Sequence, residues 1–248
     1  MPLPYKPQQD DSPTGGVIIL DKPPKMSSMR AVTIVRHRAG VKAGHAGTLD
    51  PLATGVLVVG VGTATRILDQ LMRTPKKYRT TIDLSAFTPT DDTEGEREEV
   101  NVGTQPATDV IETMLIKRFT GSYLQQPPSY SAKKIDGRRA YQLARKGIVP
   151  ALEPRTVHVH SIDLLKYEWP HLELDIHSEH GFYVRSLARE LGVALKSGGH
   201  CTSIRRTAVG PFTLEEAVDP LSLPDPLPLK NLVPPNLALE RVASAHLS

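Results

Sequence analysis

Residues 44–66 have the sequence GHAGTLDPLATGVLVVGVGTATR, which predicts a polar loop followed by a buried strand. The loop consists mainly of small residues and holds one carboxylate, that of Asp50. The run 56–61 is apolar and rich in valine, as is typical of a strand buried on both faces. A carboxylate in such a glycine-rich loop can act as a nucleophile or a base, although Asp50 can also simply shape the turn before the strand.

The segments around this stretch predict an α+β fold with a mixed sheet. Alternating or continuous apolar patterns indicate strands, and apolar side chains spaced by about four residues indicate helices. The predicted strands cover residues 16–21, 56–61, 78–84, 156–168, 171–177, 181–184 and 202–209. The predicted helices cover residues 28–38, 64–72, 109–119, 140–146, 185–196 and 237–245, and Ser27 or Ser28 caps the first of them. Strands and helices do not alternate regularly, which favours mixed strand directions.

The composition excludes several classes of protein. The chain has 248 residues, of which 39% are hydrophobic and 23% charged, and this is enough to build a folded core. Cys201 is the single cysteine, so an internal disulfide and a multi-cysteine metal site are excluded, and the histidines lack the spacing of a metal site. The longest apolar run, residues 55–64, is too short to span a membrane, and we expect a cytoplasmic protein without a signal peptide.

Basic residues are concentrated in two parts of the chain. The net charge is +3, and residues 25–80 contain ten lysines or arginines against only Asp50 and Asp69. Residues 133–147 contain six more basic residues against one aspartate. Either block alone is compatible with solvated surface charge, but the two together favour contacts with the phosphates of a nucleic acid.

Seven segments resemble, in the family's own order, the TruB family of tRNA pseudouridine-55 synthases. One short motif could match by chance, whereas seven in order could hardly do so. The segments are GVIILDKPPKMSS (residues 16–28), the stretch 44–66, KKYRTTIDL (76–84), TPTDDTEG (88–95), QPPSYSAKKIDGRRAYQLARKG (126–147), GFYVRSLARELG (181–192) and SIRRTAVGPF (203–212).

The resemblance implies a fold and an activity. The fold is the pseudouridine synthase fold, a mixed and largely antiparallel sheet with flanking helices and a central catalytic cleft. The activity is isomerisation of uridine to pseudouridine at position 55, in the TΨC loop of tRNA, through a flipped-out base. No cofactor, metal or guide RNA is expected, and we expect a monomer.

The resemblance also implies one catalytic domain over residues 15–216. Twelve of the 22 prolines fall within residues 1–24 and 220–235, at the two ends of the chain. Residues 1–14 are expected to form a flexible tail, and residues 217–248 a Pro-rich tail without a PUA domain.

The matching positions carry specific expected roles. Asp50 matches the aspartate that attacks the target nucleoside, Tyr78 the tyrosine that packs on the base and takes the proton from C5, and Arg185 the arginine that pairs with the catalytic carboxylate. The expected substrate-binding positions are His45, associated with flipping of the base, and Lys22, Asp92, Tyr183 and Ile204. Five residues depart from the family pattern. Lys25 stands in place of glycine, Phe182 in place of threonine and Ile204 in place of leucine, and Ser85 and Pro89 interrupt the usual glycine and acid near the acidic loop.

Two other functions compete with this one. The first is a tRNA-binding or tRNA-folding module that has lost catalysis, which the presence of Asp50, Tyr78 and Arg185 disfavours. The second is a guide-RNA-dependent synthase subunit, which resembles this chain in its core but carries a C-terminal PUA domain.

Overall fold

The computed structural model describes residues 15–129, 134–135, 138–139 and 152–245. The helix predicted over residues 140–146, the N-terminal tail and most of the basic block 133–147 lie outside the described residues. Among the residues that are described, no helix is long and apolar enough to cross a membrane.

A nine-stranded sheet forms the centre of the described structure, and it confirms the mixed, largely antiparallel arrangement. Its strands are β1 (Gly15–Lys22), β2 (Ala43–His45), β3 (Thr54–Gly62), β4 (Lys76–Asp83), β7 (Gly121–Gln125), β10 (Arg155–Glu168), β11 (His171–Ser178), β12 (His200–Val209) and β13 (Phe212–Thr213). Its main path runs β1-β3-β12-β4-β11-β10-β7, with β2 added to β3 and β13 to β12. Among these described strands, only β3 and β12 pair in parallel. Two small pairs lie apart from it, namely β5 (Ala86–Phe87) with β6 (Glu98–Glu99) and β8 (Lys134–Ile135) with β9 (Arg138–Arg139).

Five α-helices flank this sheet in the described part of the chain. They are α1 (Ser28–Ala39), α2 (Leu68–Met72), α3 (Thr108–Met114), α4 (Val184–Leu195) and α5 (Pro235–Ala245). The helix predicted over 64–72 is instead a 3-10 turn, Thr63–Ile67, followed by α2, and the last residues of the helix predicted over 109–119 form a π-helical turn.

The strand predicted over residues 181–184 is wrong. Gly181 has a φ of +92° and Tyr183 is the N-cap of α4, so this segment is the loop that leads into the helix. The buried Val184, Leu187 and Leu191 already follow the helical spacing, which fixes where the helix begins.

The sheet is buried on both faces around β3. Leu57, Val59 and Val61 pack into the larger core on one face, whereas Val56 and Val58 pack into a second cluster on the other. This double burial explains why the run 56–61 is continuously apolar.

Residues 217–245, expected to be a tail, pack against the edge of β1. Val17 and Val233 exchange two backbone hydrogen bonds of 2.7 and 2.9 Å, and Val218 bonds the backbone of Ile19 and Asp21. An unpaired edge strand exposes backbone donors and acceptors, and this segment satisfies them. The predicted C-terminal helix is confirmed as α5, which begins at Pro235.

Candidate active site

The loop that carries Asp50 is held by the segment after β1. The Ser28 hydroxyl accepts a hydrogen bond from the Leu49 N–H at 2.7 Å and donates one to the Leu49 carbonyl at 2.8 Å. The Lys25 N–H donates to the Pro51 carbonyl at 2.9 Å. Lys25 itself has a φ of 62°, the left-handed conformation that glycine adopts most readily. The residue that departs from the family pattern therefore keeps the turn that a glycine would make.

The Asp50 carboxylate forms an ion pair with Arg185 in the first turn of α4. Arg185 Nη2 lies 2.9 Å from Asp50 Oδ2, and the side chain of Arg185 is only 5% exposed. Its Nη1 lies 3.4 Å from Asp92 Oδ2 and donates to the Thr90 carbonyl at 2.8 Å. Burial lowers the pKa of Arg185, but the carboxylates of Asp50 and Asp92 outweigh burial and raise that pKa above its ordinary value. A permanently charged guanidinium thus fixes the direction of the Asp50 carboxylate.

Tyr78 lies on β4 beside a second buried guanidinium, that of Arg206. Burial raises the pKa of the Tyr78 phenol, while the charge of Arg206 and a hydrogen bond with it act in the opposite direction. Arg206 donates from Nε to the Val56 carbonyl at 2.8 Å, from Nη2 to the Gly47 carbonyl at 3.1 Å and from Nη1 to the Thr48 carbonyl at 3.4 Å. One side chain therefore links β3, the Asp50 loop and the phenol.

A cavity of about 360 Å³ brings five of the predicted site residues together. Its lining includes Asp50, Tyr78, Tyr183, Arg185 and Ile204. Asp50 is the only carboxylate among its described lining residues, and the aromatic side chains offer flat apolar surfaces. Such a cavity fits a planar, uncharged ring placed against one nucleophilic group.

Three predicted substrate-binding residues lie outside the lining of this cavity. Asp92 contacts Arg185 rather than the cavity, and His45 lies in β2, where its backbone pairs with Val59. Lys22 is fully buried, and its ammonium donates to the Met26 carbonyl at 2.7 Å and to the Pro51 carbonyl at 3.4 Å. Burial lowers the pKa of Lys22 to about 8, and the charge of Asp50 partly opposes this. Direct contact of these three residues with a substrate stays a prediction.

The match to a family model covers more than half of the chain and includes Asp50, Tyr78 and Tyr183. A model described as TruB family pseudouridylate synthase (N terminal domain) matches residues 33–184. The chain belongs to the TruB family of pseudouridylate synthases. It is therefore an enzyme of the pseudouridine synthase class, and the predicted membership of this family is confirmed.

Individual relatives of this TruB-family chain match it over most of its length. The tRNA pseudouridine synthase B of Corynebacterium efficiens is 44% identical over 223 residues, which are 87% of this chain and 74% of that protein. The tRNA pseudouridine synthase B of Syntrophotalea carbinolica is 43% identical over 208 residues, 82% of this chain and 66% of that one. A chain in the crystal structure of a Cbf5-Nop10-Gar1 complex has a TM-score of 0.63 at 30% identity, covering 86% of this chain and 57% of its own length. The pseudouridine synthase fold is thereby confirmed, and this chain spans little more than half of that solved relative.

Several cavity residues of the TruB-family chain were missed by the sequence reasoning, notably Lys76, Arg155 and Arg206. The two-residue period of a strand could have identified two of them, because Lys76 shares a strand face with Tyr78, and Arg206 lies two residues after Ile204. No comparable signal identifies Arg155, which reaches the cavity from the start of β10.

Proposed function

We propose that this chain converts uridine to pseudouridine at position 55, in the TΨC loop of tRNA, and that Asp50 is its nucleophile. The observation that carries the proposal is the Asp50 carboxylate, paired with the buried Arg185 and lining a cavity beside Tyr78 and Tyr183. The names of the curated relatives support tRNA as the substrate.

In this reaction the bond between C1′ of the ribose and N1 of uracil breaks, and a bond between C1′ and C5 forms. The base must first leave the stacked RNA loop, because its reacting atoms are otherwise inaccessible. Asp50 then attacks the nucleoside, and the detached base turns within the cavity while Tyr78 and Tyr183 hold its faces. Either the base or the ribose can be the site of attack.

Tyr78 is the group best placed to take the proton that leaves C5, while N1 gains a proton. A phenol whose pKa is raised by burial is a poor base by itself. The Arg206 guanidinium beside it favours the phenolate and so supports this role. Proton loss at C5 and proton gain at N1 leave the composition of the nucleoside unchanged, as an isomerisation requires.

The test uses an Asp50→Asn variant and a tRNA transcript without added guide RNA. We expect the variant to form no pseudouridine while its affinity for the transcript stays within about threefold of the unmodified enzyme, because the change removes the nucleophile and leaves the basic surface intact. Carbodiimide modification followed by primer extension locates the product. Asp69→Asn, an exposed aspartate on α2, is the matched control and should be fully active.

Three results would contradict the proposal. Full activity of Asp50→Asn would exclude Asp50 as the nucleophile. Product on a transcript whose position 55 is cytidine would exclude that position as the target. Activity that appears only when a guide RNA is added would favour the guide-dependent alternative.

A further inference from the structure

Three basic side chains line the cavity without belonging to the Asp50 arrangement, namely Lys76, Arg155 and His180. Uracil is uncharged, so its recognition does not require them. Asp50 is the only carboxylate in the described lining, and Arg185 already pairs with it. Lys76 and Arg155 therefore have no described carboxylate partner within the cavity, although the Lys76 ammonium donates to the carbonyls of Met72 and Thr74. His180 lies 4.0 Å from Glu179, which is outside the lining.

Arg155 packs against Tyr183 at the wall of the cavity. Its guanidinium carbon lies 4.5 Å from the centre of the Tyr183 ring, a cation–π contact. On another side the guanidinium lies beside Gly181, where a Cβ atom would be in ordinary van der Waals contact with it at 3.4 Å. The contact with Tyr183 thus places the guanidinium in the wall of the cavity.

The donors of Arg155 are not used by the described residues. Its Nε is buried and has no hydrogen-bond partner among them. Arg155 takes part in none of the ion pairs between described residues. A buried donor without an acceptor costs free energy, and such a donor in a cavity wall is available to an acceptor on a bound ligand.

We infer that Arg155, together with Lys76 and His180 of the same cavity, binds a phosphodiester of the RNA backbone next to the target nucleotide. The inference rests on the proposed function, since it takes the ligand to be RNA. A nucleotide that enters the cavity brings a phosphate on each side of its ribose, and the planar guanidinium suits phosphate oxygens. Burial lowers the pKa of Lys76 to about 7, and a nearby phosphate favours its charged form.

The test combines Arg155→Ala with RNA stem–loops in which one phosphate flanking the target uridine is replaced by a neutral methylphosphonate. Both proteins carry Asp50→Asn so that the RNA is not converted during titration. We expect the Arg155 change to weaken binding of the ordinary RNA about tenfold and to lower the slope of log K against log salt by about 0.7 to 0.9. For one of the two methylphosphonate RNAs, Arg155→Ala should not weaken binding any further.

Two controls separate a phosphate contact from a structural role. Arg79→Ala removes an exposed arginine from the opposite face of β4, and it should weaken binding of the ordinary and the methylphosphonate RNA by the same factor. Arg155→Lys keeps the charge and should retain part of the coupling to the phosphate. If Arg155→Ala weakens the ordinary and neutral RNAs equally, or leaves binding unchanged, the inference is wrong and Arg155 serves only to hold Tyr183.

The proposed function can fail without the inference failing. Pseudouridine formation by the unmodified enzyme on the ordinary stem–loop tests the function alone. Coupling between Arg155 and the phosphate, measured by binding, tests the inference alone.

Discussion

Arg206 connects the loop that carries Asp50 with the Tyr78 phenol and with β3. Arg206 is 2% exposed, and its donors are shared among three carbonyls and the Tyr78 phenol. Those carbonyls belong to β3 and to the loop that carries Asp50. A guanidinium suits this position because its five donors lie in one rigid plane, whereas an ammonium is a single point of charge.

We therefore expect Arg206→Lys to lower kcat about tenfold to 100-fold with little change in KM, because the loop and the phenol lose their common support. Arg205→Lys is the matched control, since the neighbouring Arg205 is 41% exposed and pairs with Asp21 at 2.8 Å. The measurement is steady-state kinetics on a tRNA transcript, with rates corrected for the folded fraction of each variant. An unchanged kcat in Arg206→Lys would show that the loop does not depend on this side chain.

At the scale of elements, helix α1 has two adjacent serines with different roles. Ser27 is the N-cap, and its hydroxyl accepts from the Arg30 N–H at 3.1 Å. Ser28 is buried and bonds both backbone groups of Leu49, immediately before Asp50. The start of α1 thus supports the loop that carries Asp50 as well as its own helix.

Substitution of the two serines should distinguish an effect on stability alone from an effect on both stability and activity. Ser27→Ala should lower the free energy of unfolding by about 1 kcal/mol and leave kcat unchanged, as expected for the loss of a helix cap. Ser28→Ala should cost a similar amount, about 1–3 kcal/mol, and should also lower kcat because the loop loses two buried hydrogen bonds. Urea unfolding and single-turnover kinetics measure the two effects. Equal kcat values in both variants would count against a role for Ser28 in holding Asp50.

These elements also show how far the sequence could predict the structure. The apolar run 56–61 predicts β3 because burial on both faces of the sheet requires an apolar residue at every position. Whether Ser27 or Ser28 caps α1 could not be decided, since the answer depends on the backbone of Leu49, which is 21 residues away. Likewise, Arg155 reaches Tyr183 only because the sheet brings the start of β10 beside the loop before α4.

At the scale of the whole molecule, the Pro-rich C-terminal segment is part of the fold. Proline lacks an N–H and cannot donate to a strand ladder, which is why residues 220–235 predict no regular structure. Their carbonyls remain available, and Arg38 of α1 donates to those of Pro220 and Leu221 at 3.3 and 3.2 Å. The sequence-based boundary at residue 216 therefore does not mark the end of the packed structure.

Two leucines of this segment test its contribution to stability. Leu227 is 7% exposed and packs into the main core, whereas Leu221 is 55% exposed. Leu227→Ala should lower the free energy of unfolding by about 2–3 kcal/mol, and Leu221→Ala by less than about 0.5 kcal/mol. If this segment were a loose tail, the two variants would have the same free energy of unfolding in urea.

Removal of residues 217–248 would take away the backbone partners of β1, so we expect an unfolded or aggregated protein. A stable and active truncated enzyme would show that the edge of β1 does not need these partners.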